Sequence, residues 1–296
     1  SNRMSFNGKK VVTWSINDYL GLASDLSTIE SVHQHLDSLG VGSGASHLVS
    51  GHHQIHQALE TEIAEFLKRD SAVTFSTGYM ANLGILQSLA KKGHLIIADK
   101  LNHASLIDGG KLSSANSVRY LHCDILALEK RLKSEAPQKW VVTDGVFSMD
   151  GDEANLSEMC RLAKEHNALL MVDDAHGLGV LGQQGRGTVS EQGLNQDDVP
   201  VLMGTFGKAF GTSGAFVAGS AQLIEYLTQL ARPYIYTTAV PPSIAAATRK
   251  SLELIIAADP LRDHLHALIK YFRAKVHALG YVLMPSETPI QPVMVG

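Results

Sequence analysis

Between residues 70 and 173 the chain alternates short apolar runs with segments whose apolar positions recur at helical spacing. Runs at 72–75, 94–98, 118–121, 140–143 and 168–172 predict strands; segments at 76–90, 125–133 and 156–165 predict helices. This alternation implies an α/β fold, a mostly parallel sheet covered by helices on both faces. Two further apolar runs, 199–203 and 215–218, predict strands flanking a glycine-rich turn. Upstream, residues 1–20 are expected to form an edge strand followed by a turn, and helices are expected at 28–39 and 56–68. After Gly219 the pattern becomes helical, at 223–231, 243–257 and 261–279, with strand-like ends at 281–284 and 292–295. Asp259-Pro260 marks a boundary. The expected organisation is an N-terminal segment, 1–20, a large domain, 21–257, and the start of an incomplete small domain, 258–296.

In such sheets ligands gather beyond the carboxyl ends of the strands. Gly78 and Tyr79, His103, Ser148, Asp173 and His176, and Thr205 and Lys208 each follow a predicted strand, so they share one edge. Lys208 lies within Gly204-Thr205-Phe206-Gly207-Lys208-Ala209-Phe210-Gly211. A lysine packed among glycines and phenylalanines is desolvated, which disfavours its charged form and leaves the nucleophilic amine a Schiff base needs. A P-loop needs Gly and Ser/Thr where Leu202 and Ala209 stand. Thr205 and Lys208 have the spacing of acyl-serine enzymes, but the partner motifs of those enzymes are absent. The helix opening near Gly78 offers free N–H groups to an anion, with Ser76 or Thr77 as an ordinary N-cap. Asp173 could bond a pyridine nitrogen, His176 a phenolic oxygen, and His103 could stack on a ring. Together, imine lysine, aspartate and anion site suggest pyridoxal 5′-phosphate.

The net charge of −4 and the lack of basic clusters argue against nucleic acid or an anionic membrane as partner. No apolar run has transmembrane length and no signal peptide is recognised. Cys123 and Cys160 lack metal or redox spacing and read as free thiols, so a cytoplasmic location is expected. The glycine-rich segment 40–46 follows a helix and opens none, and Gly177-Leu178-Gly179-Val180-Leu181-Gly182 runs into a segment that cannot continue as a helix. Neither has the context of a dinucleotide fingerprint. His52, His53 and His56 have metal-like spacing without a patterned carboxylate, and we read them as capping or surface histidines; no metal is expected.

Five segments carry a family resemblance: Asn17-Asp18-Tyr19-Leu20-Gly21, Gly42-Ser43-Gly44-Ala45-Ser46, Phe147-Ser148-Met149-Asp150-Gly151-Asp152, Asp173-Asp174-Ala175-His176-Gly177 and Thr205-Phe206-Gly207-Lys208. Together they resemble the α-oxoamine synthases, fold-type I pyridoxal-phosphate transferases of aspartate-aminotransferase-like architecture. The branch matched best joins L-alanine to a pimeloyl thioester, on coenzyme A or acyl-carrier protein, in biotin synthesis. Alternatives are another synthase of the family, using glycine or serine, or a catalytically silent partner subunit. The resemblance implies that Lys208 carries the imine and later moves protons, Asp173 pairs with the pyridinium, and His176 contacts the phenolic oxygen. His103 would stack on the ring and touch substrate. Gly78 and Tyr79 would sit near the cofactor, Ser148 and Thr205 would complete its polar contacts, and Asn17 would help hold the amino-acid carboxylate. Members are homodimers with active sites at the interface, so Thr237 or Thr238 is expected to reach the neighbouring subunit's phosphate. Relative to the family, a longer N-terminal segment with a substrate-binding arginine lies outside the sequence. So does most of the small domain, with an arginine and a threonine that bind substrate.

Overall fold

The computed structural model describes residues 3–295; positions 1, 2 and 296, which belong to the two expected terminal segments, lie outside them. Asn7 and Gly8 both have positive φ, 49° and 74°. They turn β1 (Arg3–Phe6) back onto β2 (Lys9–Val12) as an antiparallel hairpin. The expected edge strand is thus a separate two-stranded sheet, because the Asn-Gly turn lets the segment pair with itself. Next comes α1 (Leu26–Leu39), capped by Asp25, whose side chain accepts from the N–H groups of Ser27 and Thr28. A π-helical turn, His47–Gly51, follows the glycine-rich segment and leads to α2 (Gln54–Leu67).

The main sheet comes from the alternating region. Its elements are β3 (Ser71–Phe75), α3 (Gly78–Leu89), β4 (Leu95–Asp99), α4 (Ala104–Leu112), β5 (Asn116–Tyr120), α5 (Ile125–Leu132), β6 (Lys139–Asp144), α6 (Leu156–Glu165) and β7 (Ala168–Asp173). After α7 (Thr188–Glu191) come β8 (Val201–Thr205) and β9 (Ala215–Gly219). The seven strands lie in the order β3-β9-β8-β7-β6-β4-β5. Only β9 runs against the others, so the sheet is mostly parallel, as expected. Successive residues face opposite sides: Ile97, Val141, Leu170 and Leu202 join one apolar cluster, Ile96, Val142, Met171 and Met203 the other. Burial on both faces is why these strands read as unbroken apolar runs.

The pattern does not predict α4. Gly109 and Gly110 sit in its last turn, where glycine opposes helix formation. Packing overrides that preference: a Cβ on Gly109 would lie 3.0 Å from Leu86 Cδ1 and 3.1 Å from the Asn82 carbonyl oxygen, so a larger residue would crowd the approach of α4 to α3. The rest of the chain forms α8 (Ala221–Leu230), α9 (Arg232–Ile235), α10 (Pro242–Ile256) and α11 (Asp259–Ala278). Then β10 (Val282–Leu283) pairs with β11 (Val293–Met294). Between these two strands, Ser286 Oγ and Thr288 Oγ1 both donate to the Gly151 carbonyl at 2.8 Å.

His56 caps the start of α2, its Nδ1 accepting from the His53 N–H at 3.0 Å while its Nε2 meets the Val240 carbonyl at 2.7 Å. The capping reading holds for His56, but it is buried rather than on the surface. His47 is buried beside it, stacked on Tyr234 with centroids 4.9 Å apart. Burial, with His56 and His52 close by, holds the His47 imidazole down to about 3. A histidine whose folded value is depressed stays neutral, so its contribution is complete above its unfolded value near 6.5 and is lost as pH falls. At pH 5 the loss is about 2 kcal/mol. The Glu60 carboxyl, raised to about 7 by burial, has the opposite slope above pH 4.5. Thermal midpoints measured from pH 7 to pH 5 should therefore fall less steeply for His47→Phe than for the wild type. Parallel slopes would place the acid sensitivity elsewhere.

The turn bearing Tyr19 is pinned by a close backbone approach. Gly211 has φ 67°, and a Cβ there would stand 2.3 Å from the Ala23 nitrogen. Gly211→Ala should lower stability by at least about 1 kcal/mol from the left-handed backbone alone, read as a shift in denaturation midpoint.

Candidate active site

The lysine's loop is a strand-to-strand turn, residues 206–214 between β8 and β9. Phe206 and Phe210 are 2% and 1% exposed and anchor it in the core, with rings 5.3 Å apart. Backbone bonds close it: Phe206 N–H to Gly214, Thr212 N–H to Phe206 and Gly211 N–H to Lys208. With both phenylalanines turned inward, Lys208 projects into a cavity of about 170 Å³ at the carboxyl edge of the sheet. Burial lowers the pKa of its amine, opposed by the nearby Asp173 and Asp144 carboxyls. Among the described residues no carboxylate forms a salt bridge with it.

Gly78, Tyr79, His103, Asp173, His176 and Thr205 share this cavity with Lys208, as their strand-end positions predict. Asp173 ends β7; its Oδ2 accepts from Asn82 Nδ2 at 2.7 Å and its Oδ1 from the Ala175 N–H at 3.1 Å. Gly78 opens the twelve-residue α3, whose N-cap Thr77 accepts from the Met80 N–H. The Tyr79 hydroxyl donates to Asp108 Oδ2 at 2.6 Å. Thr205 Oγ1 donates to the Gly214 carbonyl at 3.0 Å, so its hydrogen is committed to closing the lysine loop. His176 Nδ1 lies 2.6 Å from the Tyr19 hydroxyl. Burial, with Lys208 and His103 as neighbours, pushes the His176 imidazole down to about 3, so it is neutral at physiological pH.

Four expected residues do not line the cavity. Asn17 is exposed, its Oδ1 3.5 Å from the Tyr19 hydroxyl. Ser148 is half-buried in the loop after β6. Thr238 is exposed and its carbonyl accepts from Ser76 Oγ at 2.9 Å, beside the start of α3; Thr237 is half-buried next to it.

Other cavity residues carry no sequence motif. Asn82, fully buried on α3, donates to Ser105 Oγ at 2.8 Å as well as to Asp173. The Ser105 backbone N–H donates to His103 Nδ1 at 3.3 Å, which makes that nitrogen an acceptor, so Ser105 Oγ, 2.7 Å away, directs its own hydrogen there too. His103 Nδ1 is then an acceptor and Nε2 carries the ring proton. Asp144, at the end of β6, accepts from the His103 backbone N–H at 2.7 Å. Burial and the neighbouring Asp173 raise its pKa well above the usual range. The available signal was an asparagine on an otherwise apolar helix face, at Asn82.

Residues 9–296 match the aminotransferase class I and II family. The 8-amino-7-oxononanoate synthase of Marinobacter nauticus is 57% identical over 293 residues, covering 99% of this chain and 74% of that protein. The Saccharophagus degradans protein of the same name is 55% identical over 297 residues, 99% and 75% of the two chains. The chain belongs to the α-oxoamine synthases. Among solved structures, a serine palmitoyltransferase variant from S. paucimobilis with a bound PLP–myriocin aldimine superposes with a TM-score of 0.96 at 35% identity, over 100% of this chain and 77% of that one. An 8-amino-7-oxononanoate synthase from Francisella tularensis gives 0.85 at 33% identity, over 96% and 81%.

This α-oxoamine synthase depends on pyridoxal 5′-phosphate, and its residues fit that group. The cavity offers an amine without a salt bridge, a carboxylate oriented by two N–H donors, an imidazole beside it and the N-terminus of a long helix. At Gly78 a Cβ would reach within 3.6 Å of Met203 Cε, filling space at the helix start.

Asn82→Ala removes the donor that fixes Asp173 and the acceptor orientation of Ser105. A hydrogen bond to a charged group is worth about 1.5–3 kcal/mol. Cofactor affinity should fall about tenfold or more, measured by titrating apoprotein with pyridoxal phosphate and following the visible band. Unchanged affinity would show that Asp173 needs no orienting partner.

Proposed function

We propose that the enzyme condenses L-alanine with a pimeloyl thioester, on coenzyme A or acyl-carrier protein, giving 8-amino-7-oxononanoate, carbon dioxide and the free thiol in biotin synthesis. The observation that carries the choice of substrates is the 57% identity to a synthase of that name over 99% of the chain. A serine palmitoyltransferase reading is favoured by the superposition at 0.95 onto the Sphingomonas wittichii enzyme, but at 37% identity. The reading includes a homodimer with Thr237 or Thr238 near the neighbouring phosphate, Asn17 and Ser148 as further contacts, a small domain starting at 258 and a cytoplasmic location. Among the described residues no helix is long and apolar enough to cross a membrane.

Bound pyridoxal phosphate supplies an electron sink for bonds broken at the amino acid's α-carbon. The protein's part is to bind, orient and move protons. Lys208 provides the imine nitrogen; its depressed pKa keeps more of the free amine neutral, ready to accept the α-proton of alanine and return a proton later. Asp173 would pair with the ring nitrogen and His176 would contact the phenolic oxygen. His103, held through its backbone by Asp144 and through Nδ1 by Ser105, would stack on the ring and offer Nε2–H to substrate. The start of α3 would hold the phosphate.

Borohydride reduction should fix the cofactor to the peptide containing Lys208, and alanine, rather than glycine or serine, should perturb the visible spectrum of the purified protein. Lys208→Ala should lose several powers of ten in turnover, because covalent and proton-transfer roles vanish together. Labelling of another lysine, or formation of product by the alanine variant, would overturn the assignment. A spectral response to serine alone would favour the palmitoyltransferase reading.

A further inference from the structure

We infer that Tyr19 is a positioning residue that sets the tautomer of His176, making its Nε2 a permanent hydrogen-bond donor into the cavity. The inference rests on the proposed pyridoxal-phosphate chemistry for its consequence, but the tautomer itself can be measured independently of turnover.

The phenol oxygen of Tyr19 and Nδ1 of His176 are 2.6 Å apart, and either could in principle donate. That separation is shorter than N–H donors usually make and typical of O–H donors, so the phenol gives its hydrogen to the imidazole. The alternative acceptor for the phenol, Asn17 Oδ1, is 3.5 Å away, at the limit of a hydrogen bond. Neither partner is charged. Burial raises the phenol's pKa and, with Lys208 and His103 beside it, depresses the imidazole's. A neutral imidazole that accepts at Nδ1 must carry its proton on Nε2. His176 lines the same cavity as Lys208 and Asp173.

The hydroxyl is delivered by a turn that the fold holds from two sides. Tyr19 N–H bonds to the Asn17 carbonyl and Gly21 N–H to the Asp18 carbonyl. Asp18 Oδ1 accepts from the Ala23 N–H at 3.2 Å. Gly211, three residues after Lys208, packs its backbone directly against Leu22 and Ala23. The lysine loop therefore locates the turn that orients the histidine opposite it. A donor-only Nε2 suits an anionic oxygen, such as a phenolate, and rejects a neutral hydroxyl that would need an acceptor. The chemical class selected at this point of the cavity is a ring bearing a deprotonated oxygen.

The test is the two-bond ¹⁵N–¹H correlation spectrum of holoenzyme labelled with ¹⁵N-histidine, the His176 signals being assigned by their loss in His176→Gln. The expected pattern is a protonated Nε2 and an unprotonated Nδ1. Tyr19→Phe keeps the ring, whose centroid lies 6.1 Å from that of His176, and removes only the hydroxyl. In that variant the Nδ1 signal should shift toward a mixture of tautomers and turnover should fall about tenfold, the lower end of the cost when a metal-ligating histidine loses its orienting partner. A proton on Nδ1 in the wild type, or an unchanged tautomer pattern in Tyr19→Phe, overturns the inference. The wild-type spectrum decides even if the variant folds poorly. Borohydride labelling of Lys208 in the same samples separates the outcomes: intact labelling with the wrong tautomer sinks only the role of Tyr19, and absent labelling sinks the cofactor reading.

Discussion

Two acids placed side by side by strand register set the terms for the rest of the site. Asp144 and Asp173 are Cα partners at the ends of β6 and β7, both buried. Like charges crowded together in a low-dielectric setting disfavour joint ionisation. Burial and the neighbouring Asp173 accordingly raise the pKa of the Asp144 carboxyl well above the usual range, beside the Lys208 amine. Each acid then has its own task. Asp144 uses an oxygen to hold the His103 backbone, and Asp173, gripped by Asn82 and Ala175, faces the cavity. Had β7 slipped by one residue against β6, the two carboxyls would have faced opposite sides of the sheet.

The polar network above this pair runs through one asparagine. Asn82 spends both amide hydrogens, one on Asp173 and one on Ser105, and through Ser105 the ring orientation of His103 is tied to the carboxylate. The Asn82 side-chain oxygen remains buried without a partner, so the network is under-satisfied on the acceptor side. An unpaired buried acceptor costs free energy that ordinary packing positions avoid. That expense is reasonable only where the two donated bonds matter more.

Much of the site was legible because its parts sit at strand ends, and strand ends can be counted from apolar runs. Lys208 stood out between Phe206 and Phe210 because aromatic anchors on both sides of a charged residue force it inward. The residues that escaped notice act through contacts between distant segments. Asn82 looks like any polar residue within a helix until α4 is known to lie against it, and α4 was hidden by Gly109 and Gly110, whose smallness serves close packing instead of chain flexibility. Tyr19 belongs to a turn whose position depends on the lysine loop nearly two hundred residues later, a relation no local pattern records. The Asn7-Gly8 hairpin is set by two positive φ angles between strands of four residues each, too short for the apolar pattern to separate them into two.

The place of β9 between β3 and β8 has a consequence for synthesis of the chain. β3, the strand from which α3 departs, lies at the sheet edge, and among the described residues its partner is β9. Everything from β4 to β8 can assemble around parallel neighbours as it leaves the ribosome, but β3 has no partner until residue 219 has emerged. The helix start at Gly78 and the lysine loop before β9 therefore meet in the same late event. A nascent chain holds β3 unpaired while residues 76–219 emerge, and the wall of the cofactor cavity formed by the start of α3 is fixed only when that strand docks.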